Sequence, residues 1–184
     1  MTPTQVLKAE HEGILVMLGV FEKIRIILRS SNPVPTQHLD DILEFFKEFI
    51  DACHHGKEEK FLFPALEASG IPREGGPIGV MLAEHEAGRK LVRQMRAIRK
   101  KLSDESATAR SEFAETAGQY IDLLRNHIQK ENTVLFPMAD KVLARSEQDR
   151  MVAQFDRLEM EEIGEGRHES FHSLIDTLSQ TYGS

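Results

Sequence analysis

Apolar residues recur at intervals of three and four along most of the chain, a spacing that predicts helices. The first predicted helix begins at Thr2-Pro3, because Thr can accept hydrogen bonds from a helix N-terminus and Pro suits the first turn. Turn-forming residues between Ser30 and Pro35 end it. Its apolar face comprises Val6, Leu7, His11, Ile14, Leu18 and Phe21.

Three more helices with the same spacing are predicted over residues 36–64, 78–102 and 107–137. Pro64 and Pro137 are expected to end the second and fourth of them, because Pro has no N–H for the helical hydrogen bond, with continuation of the fourth to Ala144 as the alternative. A polar join at residues 103–106 separates the third helix from the fourth.

The last part of the chain, residues 147–182, has helical spacing with a break near Gly164-Glu165-Gly166. No segment has the alternation of a strand. Long helices with short joins favour antiparallel neighbours. The pattern therefore predicts an all-α protein, an antiparallel up-down four-helix bundle over residues 1–145 with a C-terminal helical extension over residues 146–184 packed on it.

Composition narrows the class of protein. The 184 residues are 40% hydrophobic and 29% charged, as in an ordinary globular domain. A net charge of −7 argues against nucleic-acid binding. Cys53 is the one cysteine, which excludes an internal disulfide. Without a secretory signal pattern or an apolar stretch of membrane-spanning length, no membrane association and a cytoplasmic location are expected. Nothing in the pattern specifies an oligomeric state.

The chain contains an internal repeat. Ala-Glu-His-Glu occurs at residues 9–12 and again at 83–86, and His-x-x-x-Glu followed by Leu-Phe-Pro occurs at 54–64 and 127–137. The separations are 85 − 11 = 74 and 127 − 54 = 73 residues, so both matches belong to one duplication. Each half is predicted to be a helical hairpin that carries one His on its first helix and a His/Glu pair on its second.

This arrangement predicts a metal centre. Residues four apart project from one face of a helix, so each His/Glu pair can reach one point in the core. Burying four imidazoles and two carboxylates is costly unless cations compensate. Such mixed ligands suit iron, manganese or zinc, and the lack of Cys ligands argues against structural zinc. The candidate ligands are His11, His54, Glu58, His85, His127 and Glu131.

These motifs resemble the haemerythrin-like HHE cation-binding family over roughly residues 5–145. The matching segments are Glu10-His11-Glu12, residues 54–59, Gly75-Gly76-Pro77, Glu84-His85-Glu86 and residues 127–137. The resemblance implies an antiparallel four-helix bundle around two non-haem iron ions with an oxo or hydroxo bridge. It also implies that the four histidines are terminal ligands, with Glu58 and Glu131 as bridging carboxylates.

Two positions depart from the oxygen-carrying members of that family. Arg89 stands where those proteins have a further His ligand, and Asn132 stands where they have an Asp, with the carboxylate one residue earlier at Glu131. One imidazole of the oxygen-carrier set is therefore missing. Either an iron keeps a more open coordination sphere or another side chain fills the position.

Several side chains compete for that position. His168, in the C-terminal extension, is the predicted seventh ligand, since a helix packed on the bundle could deliver it to the centre. His55 and Glu59 form a second His-x-x-x-Glu pair, but an α-helix would turn them about 100° away from His54 and Glu58, which favours a surface or supporting role for His55. The family resemblance keeps His55 as an alternative ligand, because some members place a ligand beside the His of the second helix. Tyr120 is interpreted as a packing residue, with a contact to the metal as the alternative.

The leading functional prediction is a di-iron protein that binds or reacts with O2, NO or H2O2, in oxidative or nitrosative stress or in iron homeostasis. Whether it turns over as an enzyme stays open. The alternatives are a non-catalytic, metal-responsive sensing module, an O2 carrier or store, and a structural bundle with incidental histidines.

Overall fold

The computed structural model describes residues 1–30, 32–102 and 106–183. All regular structure within those ranges is helical, and no strand occurs in them. The prediction of an all-α protein is therefore confirmed. Most of the predicted polar join, residues 103–105, lies outside the described residues.

The described residues form six helices. Helix α1 is Pro3–Arg29. Helix α2 covers residues 36–68 and consists of Thr36–Phe45, the π-helical segments Phe46–His55 and Glu58–Leu62, and Phe63–Ala68. Helix α3 is Pro77–Arg99. Helix α4 covers residues 107–142 and consists of Ala107–Lys130, the π-helical segment Glu131–Leu135, and Phe136–Val142. Helix α5 covers residues 145–163 and consists of Arg145–Leu158 and the π-helical segment Glu159–Ile163. Helix α6 is Arg167–Tyr182.

The start of α1 has the predicted cap. The Gln5 backbone N–H donates to the Thr2 hydroxyl at 3.3 Å, and the Thr2 backbone N–H donates to the Gln5 side chain at 2.8 Å. This reciprocal capping box satisfies donors that a helix N-terminus otherwise leaves without partners. Pro3 adds a fixed φ in the first turn.

Neither Pro64 nor Pro137 ends its helix. The expectation is wrong for α2, whereas α4 follows the alternative in which the helix continues toward Ala144. Helix α2 continues to Ala68 and α4 continues to Val142. In both helices a π-helical segment comes directly before the Leu-Phe-Pro sequence, and each Pro lies in the first turn of the α-helical segment that follows. A Pro is tolerated in a first turn, because its missing N–H needs no partner there.

The first four helices contact one another in a ring: α1 touches α2 and α4, and α3 touches the same two helices. Helices α5 and α6 pack against α1 and α2. Two hydrophobic clusters fill the interior at different heights, one containing Ile14, Phe46 and Leu124 and the other Leu7, Leu62 and Leu135. The candidate ligands on α1, α2 and α4 lie between these levels, so apolar side chains enclose them above and below.

None of the helices in the described ranges is both long enough and apolar enough to cross a membrane.

Candidate metal centre

Two groups of ligand-type side chains meet in the interior. The first cluster is His11, His54, Glu58 and Glu131, and the second cluster is His55, Glu58, His85 and His127. Within each cluster one nitrogen or oxygen from every residue lies within 4.8 Å of the others. None of these residues is more than 5% exposed. The six ligands expected from the repeat are thus brought together, and His55 joins them.

Glu58 connects the two clusters. Its Oε1 lies 3.6 Å from Nε2 of His54 in the first cluster, and its Oε2 lies 3.4 Å from Nε2 of His85 in the second. The carboxylate is fully buried. One oxygen therefore faces each cluster, which is the placement a bridging ligand needs.

Glu131 occupies the equivalent position in the second half of the repeat and behaves in the same way. Its Oε2 lies 3.2 Å from Nε2 of His11, and its Oε1 lies 3.2 Å from Nε2 of His127. The carboxylates of α2 and α4 thus both span the space between the clusters.

The four histidines that the repeat predicted are oriented through their other ring nitrogen. Each Nδ1 donates a hydrogen bond of 2.7–2.9 Å to a side-chain oxygen, and the four pairs are His11 to Asn132, His54 to Glu10, His85 to Glu59 and His127 to Glu84. A hydrogen-bonded Nδ1 fixes the tautomer and leaves the Nε2 lone pair for a metal. All four Nε2 atoms point at the bridging carboxylates.

The repeat extends to the lysines that bind the Nδ1 acceptors Glu10 and Glu84. Lys57 donates to Glu10 in the first half, and Lys130 donates to Glu84 in the second. Lys57 is fully buried and also donates to Glu159 of α5, whereas Lys130 is 41% exposed. Burial by itself raises the pKa of Glu10, but His54 and Lys57 outweigh it and lower that pKa to about 2. Glu10 is therefore an anion at neutral pH.

The polar atoms that face the interior lack hydrogen-bond partners among the described residues. These atoms are Nε2 of His11 and His54, both nitrogens of His55, and both oxygens of Glu58 and Glu131. Buried polar groups without partners are costly. Burial and the neighbouring Glu131 carboxylate raise the pKa of Glu58 well above its usual value. Cations at the two clusters would satisfy one nitrogen of each of these histidines and the carboxylate oxygens, so the donor set fits a pair of metal ions.

His55 reaches the second cluster because of the backbone around it. Its ring stacks on His85 with 3.8 Å between ring centroids. The argument that an α-helix turns His55 away from the centre does not apply, because residues 46–55 are π-helical. A π-helix has more residues per turn, and successive side chains are closer in direction. Burial, together with the neighbouring His85 and His127, lowers the pKa of His55 well below its usual value, so the ring is neutral, as a ligand must be.

His168 does not join either cluster. The structure places it at the start of α6, near Glu10 and Glu159. Its ring packs against Phe49 at 5.2 Å and against His172 at 4.8 Å. Glu10 lies near His168 and also accepts the hydrogen bond from His54. His168 therefore lies outside both clusters, and the fifth imidazole found within them is that of His55.

Arg89, which replaces a His of the oxygen carriers, supports the second cluster indirectly. Its Nε donates to Asp51 at 2.7 Å and its Nη2 donates to Glu59 at 2.6 Å. Glu59 in turn accepts the hydrogen bond from His85. The role of Glu59 was missed from the sequence, although its equivalent in the repeat, 132 − 73 = 59, is the His11 partner Asn132.

An all-helical protein whose interior brings imidazoles and shared carboxylates together has the donor arrangement of helical proteins that hold metal ions. A model of the Hemerythrin HHE cation binding domain matches residues 2–139, and the chain belongs to that family.

Two relatives are similar to this chain in sequence. An uncharacterized protein of Mycobacterium tuberculosis (strain ATCC 25618 / H37Rv) is 25% identical over 179 residues, which are 97% of this chain and 68% of the relative. The iron-sulfur cluster repair protein YtfE of Salmonella typhimurium (strain LT2) is 37% identical over 91 residues, which are 48% of this chain and 41% of YtfE. No solved structure matches the chain.

Proposed function

We propose that the chain is a non-haem di-iron protein that binds or reacts with small oxidants or diatomic molecules (O2, NO or H2O2) in oxidative or nitrosative stress or in iron homeostasis. The observation that carries the proposal is the pair of clusters joined by Glu58 and Glu131, each with one oxygen toward each cluster. Nitrogen and oxygen donors of this kind suit iron, and manganese or zinc would also be accepted.

The proposed ligand set differs from the one expected from the sequence in one residue. It comprises His11, His54, His55, Glu58, His85, His127 and Glu131. His55 takes the role first given to His168, because its ring lies in the second cluster and both of its nitrogens lack partners among the described residues. The first cluster then has two imidazoles and the second has three.

When bound, a pair of iron ions supplies one-electron chemistry and a position at which a small molecule can coordinate. The protein contributes the arrangement around it. The bonds from Nδ1 to Glu10, Glu59, Glu84 and Asn132 hold the rings in place before any ligand arrives. Apolar side chains such as Phe63 and Phe136 cover the clusters and exclude water.

We also propose that α1 to α4 form an antiparallel four-helix bundle over residues 1–145, with residues 146–184 as an extension packed on it. The ring of contacts among the first four helices supports this division, as does the packing of α5 and α6 against α1 and α2.

Elemental analysis and an ultraviolet-visible spectrum of the purified protein test the function. We expect about two iron ions per chain, absorption bands of a bridged ferric pair, and a spectral change on adding peroxide or NO. Bound zinc with no response would refute the redox part of the proposal. Bound iron without any response to these molecules would favour the metal-responsive module instead.

A second candidate is iron–sulfur cluster repair, the function that the name of YtfE states. The 37% identity over 91 residues favours it. We propose a direct test, in which the iron-loaded protein is incubated with a [4Fe–4S] enzyme whose cluster has been damaged by peroxide. Recovery of that enzyme's activity is expected with the loaded protein and not with the metal-free protein. Equal recovery with both would exclude this candidate.

A further inference from the structure

A cavity of about 230 Å³ lies between α2, α3 and α4, directly beside the second cluster. His55 belongs to both, since its ring stacks on His85 and also lines the cavity. Tyr120 of α4 forms another wall and packs on Phe46 with 4.6 Å between ring centroids. An occupant of the cavity would therefore contact an imidazole of the candidate metal centre.

The inner walls of the cavity are largely apolar. Phe46, Ile50 and Val92 line it and are at most 9% exposed. Gly88 of α3 contributes no side chain, and a Cβ there would stand 3.6 Å from Cε2 of Tyr120. The space thus owes part of its size to a glycine within a helix, a position where Gly is less stable than Ala.

The entrance of the cavity is positively charged. Lys47, Arg89, Arg93 and Arg96 line the cavity, against one acidic lining residue, Asp51. Arg89 is paired with Asp51, and Arg93 with Glu86 outside the cavity. Within the described part of the chain, Lys47 and Arg96 have no ion-pair partner, although the whole chain carries a net charge of −7. This local excess of positive charge would attract an anion.

We propose that this cavity is a binding site for a small organic carboxylate with an aromatic or branched apolar body. The carboxylate lies at the entrance near Lys47 and Arg96, and the apolar body lies inside against His55, Val92 and Tyr120.

The dimensions and charges together favour this class of ligand. An engineered apolar cavity of about 150 Å³ is known to hold benzene, so about 230 Å³ suffices for a ring with a short substituent. A diatomic molecule would need neither this volume nor a cationic entrance. An inorganic anion would leave the apolar walls without an occupant, and a neutral apolar molecule would leave Lys47 and Arg96 without a partner.

Phenylacetate is a suitable probe, and isothermal titration calorimetry on the purified protein measures its binding. We expect a dissociation constant of about 0.1–1 mM, a strength typical of a ligand of this size. The neutral analogue phenylacetamide should bind at least about tenfold more weakly, and added salt should weaken phenylacetate alone. The site goes beyond the function proposed for the metal centre. Its calorimetric signal does not require iron, whereas the metal analysis does not depend on the cavity.

Removing the charges at the entrance tests the position of the carboxylate. The double variant Lys47→Gln/Arg96→Gln should bind phenylacetate about tenfold more weakly and phenylacetamide unchanged. The matched control is Lys90→Gln/Lys100→Gln, which removes the same two charges from exposed residues outside the cavity. It should bind both compounds as the unchanged protein does.

Filling the cavity tests the position of the apolar body. Val92→Phe should abolish binding, and the milder Gly88→Ala should weaken it about threefold while the helix gains stability. Gly118→Ala makes the same change in a helix away from the cavity and should leave binding unaltered. If Val92→Phe fails to fold, Gly88→Ala and its control still decide the question.

Four results would overturn the proposal. They are equal binding of phenylacetate and phenylacetamide, equal weakening by the two double variants, full competition by inorganic phosphate, and no detectable binding at about 10 mM probe.

Discussion

The two clusters of the candidate centre differ, although a duplication produced both halves of the protein. The first cluster has the imidazoles of His11 and His54, while the second has those of His55, His85 and His127. The position equivalent to His55 in the second half is 55 + 73 = 128, which is Ile128. The repeat therefore explains four imidazoles and two carboxylates, and the fifth imidazole is an addition to one half.

A difference in the backbone accompanies this addition. Residues 46–55 of α2 are π-helical, whereas the equivalent stretch of α4 belongs to the α-helical segment Ala107–Lys130. The π-helical segments Glu58–Leu62 and Glu131–Leu135, in contrast, occur in both halves. A local change of helix geometry thus lets two consecutive histidines reach one centre.

The surroundings of the clusters differ as well. In the first cluster His11 stacks on Phe136 at 5.4 Å, and the buried Lys57 lies behind Glu10. The second cluster borders the cavity through His55. We therefore expect the first cluster to hold its metal in a closed site and the second to be the one that small molecules reach.

The largest effect is expected from a ligand that both clusters share. Glu58→Ala removes one oxygen from each cluster, so the iron content should fall from about two ions per chain to below about one half. Glu12→Ala, an exposed carboxylate of α1, is the control and should keep the full content. Elemental analysis measures both. Retention of one ion by Glu58→Ala would show that Glu58 serves a single cluster.

A single terminal ligand should affect the clusters unequally. His11→Ala leaves the first cluster one imidazole, and we expect about one iron per chain. His85→Ala leaves the second cluster two imidazoles, and we expect nearly two ions at saturating iron, with binding of the second at least about tenfold weaker. Iron titration of both variants provides the measurement. The reverse order of losses would contradict the assignment of three imidazoles to the second cluster.

Replacing the additional imidazole should make the halves alike. His55→Ile copies the residue at position 128, and it should keep two iron ions while the spectral response to peroxide changes in rate by about tenfold or more. His172→Ile, an exposed His of α6, is the matched control and should react at the original rate. Stopped-flow spectroscopy distinguishes them. An unchanged rate in His55→Ile would exclude His55 from the reacting site.

Variants of Lys57 and Lys130 should differ from each other more in stability than in metal content. Lys57→Met removes the cation that the buried Glu10 shares with Glu159. The change should cost about 3 kcal/mol of unfolding free energy. Lys130→Met removes the ion pair with Glu84, in which the Lys130 side chain is 41% exposed. This change should cost less than about 1 kcal/mol. Urea unfolding of the iron-loaded variants compares them. Equal costs would mean that burial of Lys57 contributes nothing.

The sequence predicted most of the centre because its ligands follow rules that a single chain displays. The repeat and the α-helical period identified six of the seven residues that lie in the two clusters. His55 was kept only as an alternative ligand, and α2 was expected to end at Pro64, for one reason: π-helical geometry leaves no periodic signal in a short segment. The position of His168 depends on how α6 packs, and helical spacing does not specify that packing. The sequence therefore offered no reason to exclude His168 from the centre.

The ion pair between Lys57 and Glu159 joins residues that are 102 positions apart. Ribosomes add roughly 5–20 residues per second, so Glu159 is synthesised about 5–20 s after Lys57. Throughout that interval a nascent chain can form the first hairpin with Glu10 as the partner of Lys57, but α5 is not yet there to cover it. Glu131, the last residue of the first cluster to be made, precedes Glu159 by 159 − 131 = 28 residues, or about 1–6 s of synthesis. We therefore expect a short period in which the first cluster is complete and α5 does not yet cover it.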